Sequence, residues 1–302
     1  MKSFSQLTKE ELYKLESANH CCDIAELAGL ILFGASIRFS DKEVSIKFTT
    51  ENQDVLGCFV NLCRKENFEP IVKQISDDSI RYVAKLDDTT HIMQLLVDLD
   101  IFDIHSGKIR LHISPNIVKK NCCKRAFLRG VFMGAGTVID PRKNYNLEIV
   151  SSDGRLLEDL YELLQSLSFN FRHVMRKSKH VLYIKNSETI SDILTFMGAY
   201  KAQMELINIK IEKEIRNDVN RTANSETANI SKTINAAVEQ IKAIERVEKY
   251  VGLDNIPEDL REIAELRLKH KDLSLSELGA LLNPPLSKSG VNHRMQKIMK
   301  MV

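Results

Sequence analysis

The run LSLSELGALLNPPLSKSGVNHRMQKI, Leu273–Ile298, parses as two short helices joined by a tight turn. Ser274 and Glu277 have the spacing of a capping box, so a helix is expected to start there. Leu275, Leu278, Leu281 and Leu282 give that helix one apolar face. Asn283-Pro284-Pro285 stops it, because proline lacks an N–H and its ring disfavours helix at the preceding residue. Ser287 or Ser289 then caps a second helix, whose apolar face is Val291, Met295 and Ile298 at i, i+4 and i+7. Its other face carries Lys288, Ser289, Asn292, His293, Gln296 and Lys297.

This is the layout of a helix-turn-helix: the second helix is held by three apolar side chains and offers a polar, basic face to the major groove. Lys288 and Ser289 stand at the helix start, where base contacts usually fall. Asn292 and Gln296 are one turn apart, and either can pair bidentately with adenine. Arg294, Lys297 and Lys300 are placed for phosphates, which supply affinity rather than sequence choice. From Leu286 to Val302 the cations Lys288, Arg294, Lys297 and Lys300 meet no acid. An ordinary helical hairpin with a solvated basic face is the alternative. The Pro-Pro turn and the one-signed tail favour double-stranded DNA as the partner.

Working outward, Glu258–His270 is expected to be a helix whose Ile263, Leu266 and Leu268 face the two helices of the motif. Gly252 and Pro257 mark a break, and Ala236–Tyr250 reads as an amphipathic helix before it. Met204–Arg216 is charged and helical in pattern. Asn217, Asn220 and Asn224 then share a face if the helix continues. Asparagine is a poor helix former, so an Asn/Arg face suggests a specific polar contact. It would dock on the rest of the chain or meet the DNA backbone through Arg216, Asn220, Arg221 and Lys232. A solvated connector is the plain alternative.

The chain has 302 residues, 43% of them hydrophobic, with a net charge of +2, so any attraction to DNA must be local. MKSFSQLTKEE is too polar for a signal peptide, and the apolar run Leu27–Ala35 is too short to span a bilayer. Residues 3–17 are expected to form a helix, with Thr8 and Glu11 at capping-box spacing. Cysteine occurs as Cys21-Cys22, Cys58, Cys63 and Cys122-Cys123, none with CxxC spacing. They read as reduced, buried thiols of a cytoplasmic protein, with no metal site and no cofactor; nucleoid association is expected only from the DNA-binding reading.

The first 200 residues hide a repeat with an offset of 101. Cys21-Cys22 matches Cys122-Cys123, Ala25 matches Ala126, Leu27 matches Leu128, and Gly29 matches Gly130. The register holds through Phe48 and Ile149, Phe68 and Phe169, Tyr82 and Tyr183, and Ile92 and Ile193. One offset held over some seventy residues is a duplicated domain. Each copy reads α-β-β-α-β-β-α. The first has a helix Cys21–Gly34, strands Ile37–Phe39 and Val44–Thr50, a helix Gln53–Asn67, strands Glu69–Ser76 and Ile80–Lys85, and a helix Thr89–Asp100. The second has Cys122–Gly134, Thr137–Asp140, Tyr145–Ser151, Gly154–Phe169, Asn170–Arg176, Val181–Lys185 and Ser187–Met197. Turns fall at Asp41-Lys42 and Pro141-Arg142-Lys143. Adjacent hairpins imply an antiparallel sheet with helices on one face. Glycine inside a helix costs about 1 kcal/mol against alanine. Its use in ELAGLILFGA and FLRGVFMGAG is expected to be close approach of the two copies' first helices.

LAGLILFGA and LRGVFMGAG resemble the LAGLIDADG helices of homing endonucleases, a family with this duplicated architecture. In that family each helix ends in an acid that binds the catalytic divalent metal. The matching positions here are Gly34 and Ala135, and the motif's other acid falls on Leu32 and Met133. The resemblance implies the nuclease scaffold without the nuclease, and so not an enzyme. Asp41 and Asp140 are the nearest acids and read as turn residues. The whole chain is similar to the WhiA family of bacterial regulators. SFSQLTKEEL, RAFLRGVFMGAGTVIDPRKNYNLEIV, EIRNDVNRTANSETANISKT and LSKSGVNHRMQKI carry that resemblance. It implies a DNA-binding transcriptional regulator tied to sporulation, cell division or chromosome segregation. RNA polymerase or another regulator is the candidate protein partner, needed if the chain alone does not hold DNA.

The expected fold is therefore α+β. An N-terminal helix (1–20) precedes two repeats (21–105 and 106–205), a helical linker (206–252) and an all-α helix-turn-helix domain (253–302). The competing readings are a metal-dependent endonuclease with displaced acids and a protein-interaction module in division.

Overall fold

Serine at position 3 starts the chain's first helix. In a computed structural model describing residues 2–17, 19–40, 43–76, 80–103 and 108–301, Ser3 Oγ accepts from Gln6 N while Gln6 Oε1 accepts from Ser3 N. α1 runs Phe4–Tyr13, shorter than the expected 3–17. The cap is not Thr8–Glu11. Thr8 is buried and its hydroxyl donates to Phe4 O at 2.9 Å. The Glu11 carboxylate instead accepts from Lys201 N at 2.7 Å and Ala202 N at 3.0 Å, capping a helix far along the chain.

The first copy then runs α2 (His20–Gly34), β1 (Ala35–Phe39), β2 (Val44–Thr50), α3 (Gln53–Lys65), β3 (Ile71–Ser76), β4 (Ile80–Leu86) and α4 (Thr89–Asp98). A small hairpin that the sequence reading did not contain follows, β5 (Phe102–Asp103) with β6 (Lys108–Ile109). The second copy runs α5 (Asn121–Ala135), β7 (Gly136–Val138), β8 (Leu147–Ser151), α6 (Gly154–Ser166), β9 (Arg172–Arg176), β10 (Lys179–Ile184) and α7 (Ser187–Met197). The turn expected at Asp41-Lys42 lies outside the described residues. Asp140 is a turn residue, its Oδ1 accepting from Arg142 N at 2.9 Å.

Each copy builds an antiparallel four-stranded sheet, of order β1-β2-β4-β3 and β7-β8-β10-β9. The repeat survives at the level of register: Ala35 pairs with Phe48 as Gly136 pairs with Ile149. Strand alternation sends Val44, Ile46, Phe48, Leu147 and Ile149 into the core beneath the helices. The opposite face of the first sheet is another matter. Arg38, Lys47, Lys73, Arg81 and Lys85 share that face, and no acid lies on it among these strands.

α2 and α5 cross at the centre, and the glycines do there what the sequence suggests. A Cβ on Gly130 would stand 2.1 Å from Glu26 O, and one on Gly29 would stand 2.4 Å from Phe127 O. Only hydrogen fits between two backbones this close. The seam also holds a buried ion pair that breaks the repeat's symmetry. Arg129 donates to Glu26 Oε2 through Nη2 at 2.7 Å and Nε at 3.0 Å, and to Ser17 Oγ at 3.1 Å. Burial pushes the Glu26 carboxyl up, while the Arg129 charge pulls it back down.

The chain divides into two compact units, 1–213 and 214–302. One helix, α8 (Tyr200–Tyr250), runs from the first into the second. The asparagine-rich stretch therefore does not interrupt it. The second unit continues with a 3-10 turn (Leu253–Asn255), α9 (Glu258–Lys269), α10 (Leu275–Ala280) and α11 (Lys288–Met299). Among the described residues no helix is long and apolar enough to cross a membrane.

Candidate nucleic-acid interface

α10 begins as its sequence dictates. Ser274 Oγ accepts from Glu277 N at 3.3 Å, and Ser274 N donates to Glu277 Oε2 at 2.7 Å. The helix stops at Ala280, ahead of Asn283-Pro284-Pro285. Leu281, the C-cap with αR backbone, is half exposed rather than part of the apolar face, while Leu282 turns inward. The turn then folds directly onto α10. Leu286 N donates to Gly279 O at 2.9 Å, and a Cβ on Gly279 would stand 2.2 Å from Leu286 O. Sequence reasoning passed over Gly279. A glycine inside so short a helix was the available signal.

Of the two candidate caps for α11, the structure uses Ser287, whose Oγ accepts from Gly290 N at 3.3 Å. Val291, Met295 and Ile298 are buried, in one cluster with Ile244, Val247, Leu260, Ile263, Ala264, Leu278 and Leu282. Leu266 and Leu268 pack against the same cluster, as expected. Arg267 is also buried, which the sequence did not announce. Its Nη1 donates to Leu273 O at 2.5 Å and fixes the α9–α10 loop, and burial pulls its pKa down.

With that face pinned, α11 presents the remainder outward. Lys288, Ser289, Asn292, His293, Gln296 and Lys297 are all exposed, as is Lys300 beyond the helix. The helix contains no acid. Arg294 is the exception to the sequence reading. It turns to α9, where Nη1 donates to Asp259 O at 3.2 Å and Nε lies 3.6 Å from Asp259 Oδ2. That contact ties α11 to α9 and competes with a role on phosphate. On α8, residues 214–236 are exposed throughout, including Arg216, Asn220, Arg221 and Lys232. Arg221 pairs with Asp218 one turn earlier on its own helix.

The ends of α2 and α5, where the endonuclease resemblance would place a divalent metal, do not fit one. No carboxylate stands at Leu32, Gly34, Met133 or Ala135. A Cβ on Gly34 would meet the Phe48 ring at 2.6 Å and Gly134 Cα at 3.1 Å, so the helix ends leave no room for a ligand there. Beside them Lys9 Nζ donates to Met133 O at 3.0 Å and lies 5.6 Å from the Phe132 ring centroid. Burial lowers this ammonium to about 8. A cation occupies the carbonyl end of α5, and no metal step follows from these residues. At the other end of the same two helices the dicysteines, which spacing alone set aside as ligands, come together. The Sγ atoms of Cys21, Cys22, Cys122 and Cys123 all lie within 4.8 Å of one another.

Three family descriptions match consecutive parts of the chain: the WhiA N-terminal LAGLIDADG-like domain over 20–101, the WhiA LAGLIDADG-like domain over 124–216 and the WhiA C-terminal HTH domain over 219–302. A protein named "Probable cell division protein WhiA" from Alkaliphilus metalliredigens is 38% identical, the match covering 98% of this chain and 96% of that one. Its counterpart from Thermoanaerobacter pseudethanolicus is 40% identical over the same shares. The crystal structure of full-length WhiA from Thermotoga maritima is similar with a TM-score of 0.64 at 27% identity, covering 99% of this chain and 98% of that one.

Proposed function

The chain belongs to the WhiA family, and we propose that it is a sequence-specific, double-stranded-DNA-binding transcriptional regulator that acts in cell division. The observation that carries the reading is α11, an acid-free helix pinned on one side by Val291, Met295 and Ile298 and bearing exposed base-reading groups on the other. Lys288, Ser289, Asn292, His293 and Gln296 read base edges in the major groove. Lys297 and Lys300 neutralise phosphates. Arg294 braces the helix through Asp259. Arg216, Asn220 and Arg221 on the exposed part of α8 add backbone contacts. The protein works in the cytoplasm at the nucleoid, with RNA polymerase or another regulator as its protein partner. Chromosome segregation or sporulation is the wider setting that the family resemblance implies.

The duplicated domain acts as a catalytically inactive clamp. The row Arg38, Lys47, Lys73, Arg81 and Lys85 supports a phosphate-following role for the first sheet, which adds affinity without choosing sequence. The glycine-packed, carboxylate-free helix ends support the absence of hydrolysis. The test is to enrich genomic fragments with the full chain and with a Lys288→Ala/Asn292→Ala/His293→Ala variant. The reading requires common sites in the first pool and none in the second. Equal enrichment would move recognition to the duplicated domain. Magnesium- or manganese-dependent nicking of supercoiled DNA by the full chain would restore the endonuclease reading.

A further inference from the structure

Cys21 and Cys22 occupy the second and third positions of α2, and Cys122 and Cys123 occupy the same positions of α5. The repeat offset makes the pairs equivalent, and the crossing of the two helices brings them to one point. Within the second pair the sulfurs are 4.0 Å apart, and no two of the four are more than 4.8 Å apart. A zinc ion with sulfur ligands at ~2.3 Å spaces them at ~3.8 Å along a tetrahedron's edges. The observed spread needs a closure of no more than about 1 Å to meet that figure. Cys22 and Cys123 are buried, Cys21 is half-buried and Cys122 is exposed, so the cluster is walled on one side and open on the other.

We propose that these four cysteines form a tetrathiolate site for one thiophilic divalent cation of the zinc class, which staples the two repeats together.

The electrostatics of the surrounding helices agree. Neither Asn19 before α2 nor Lys120 before α5 makes a side-chain cap, whereas α1, α3, α4, α6 and α7 in the same unit all have one. The positive ends of two helix dipoles thus carry the sulfurs, and Asp23 in the first turn of α2 is held by Lys65 Nζ at 2.8 Å. Lys119, Lys120, Lys124 and Arg125 flank the second pair in the sequence. Four thiolates with no carboxylate or imidazole among them select zinc-like ions over magnesium or calcium. Zinc-binding spacing rules miss such a site because each repeat contributes half of it, 101 residues apart.

The test uses the full chain, purified under reducing conditions without chelator. Metal analysis is expected to find one zinc per chain. Cobalt(II) added to metal-free protein is expected to give thiolate-to-cobalt charge transfer in the near ultraviolet and strong tetrahedral absorption in the red. Zinc should shield four of the six thiols from alkylation. Cys122→Ser, at the exposed ligand, is expected to lose the stoichiometric metal and remain folded. Cys58→Ser/Cys63→Ser should retain it. Chelation should lower the thermal midpoint of the parent chain and leave that of Cys122→Ser unchanged. Absence of both bound zinc and a cobalt spectrum in the reduced parent chain would overturn the proposal, since neither reading depends on a variant. Equal metal loss in the Cys58/Cys63 variant would also overturn it. A disulfide mapped between the two pairs in a chain that takes up no metal would replace it with a redox bridge.

Discussion

Gly130→Ala adds a single methyl group where α5 crosses α2, and its cost can be worked from the backbone alone. The new Cβ would stand 2.1 Å from Glu26 O and 3.0 Å from both Glu26 C and Leu30 N. Ordinary contact begins at 3.4 Å, so the closest atoms must separate by about 1.3 Å. All three neighbours are main chain, and no rotamer change relieves them. The helices must part instead, loosening Ala25, Leu27 and Ala28 against Ala126 and Phe127 in the same core. Overpacking of this kind costs roughly 1–3 kcal/mol, occasionally more, and the backbone clash puts this case at the upper end. Alanine's better helix propensity returns about 1 kcal/mol. The net loss is about 2 kcal/mol, which for a unit of this size lowers the midpoint by ~4–8 °C. Calorimetry of the full chain follows the transition of the duplicated unit. Gly154→Ala is the control: its Cβ also meets a neighbour at 2.8 Å, but that neighbour is the His180 ring, which can rotate away. A Gly130→Ala midpoint within 1 °C of the parent, or a loss matched by Gly154→Ala, would refute the backbone-contact account (about 1 °C is the resolution needed to separate these sizes).

Arg129→Ala leaves the Glu26 carboxylate buried without its cation and should cost about 3–5 kcal/mol at neutral pH. Burial already raises the Glu26 pKa, and removing Arg129 raises it further. The folded state then holds the proton more tightly than the unfolded one. Stability of Arg129→Ala should therefore be greatest below the ordinary carboxylate pKa and fall as pH rises through the raised value. Urea titrations from acid to neutral pH check the sign, and Glu26→Gln with Arg129→Ala should recover most of the loss. Gly279→Ala would push Leu286 off α10 and tilt α11, so DNA affinity should drop at least tenfold while the duplicated unit's transition stays put. Fluorescence anisotropy beside calorimetry separates the two effects.

The architecture was legible because the determinants are local or repeated. Period-2 and period-3.6 patterns, held over an offset of 101, placed thirteen of the fourteen repeat elements within two residues at both ends; the exception is the helix expected over Gly154–Phe169, which starts as expected and stops at Ser166. Ser274 with Glu277 and the triad Val291, Met295, Ile298 were readable because capping and helical facing act within a few residues. What failed were contacts between distant parts of the chain. Thr8 and Glu11 match a capping box by spacing, yet Glu11 caps a helix 190 residues away. Arg129 stands where the first repeat has Ala28, so symmetry gave no hint of its pair with Glu26. The four cysteines looked inert because spacing within one segment says nothing of a crossing that brings two segments together. On α11 the exposed groups were readable from helical periodicity, whereas the turn of Arg294 to Asp259 depends on how α9 packs.

The measurement that bears most directly on α11 as the reading element is a comparison of two single variants on two DNAs. Asn292→Ala and Lys297→Ala are titrated against an enriched site and a scrambled duplex at two salt concentrations. A lost base contact costs about 1–3 kcal/mol on the specific site alone, and a lost phosphate contact weakens both DNAs alike while reducing the salt slope by about 1. The account predicts the first pattern for Asn292→Ala and the second for Lys297→Ala. If Asn292→Ala leaves the ratio of the two affinities unchanged, and His293→Ala and Gln296→Ala do the same, α11 does not read the sequence.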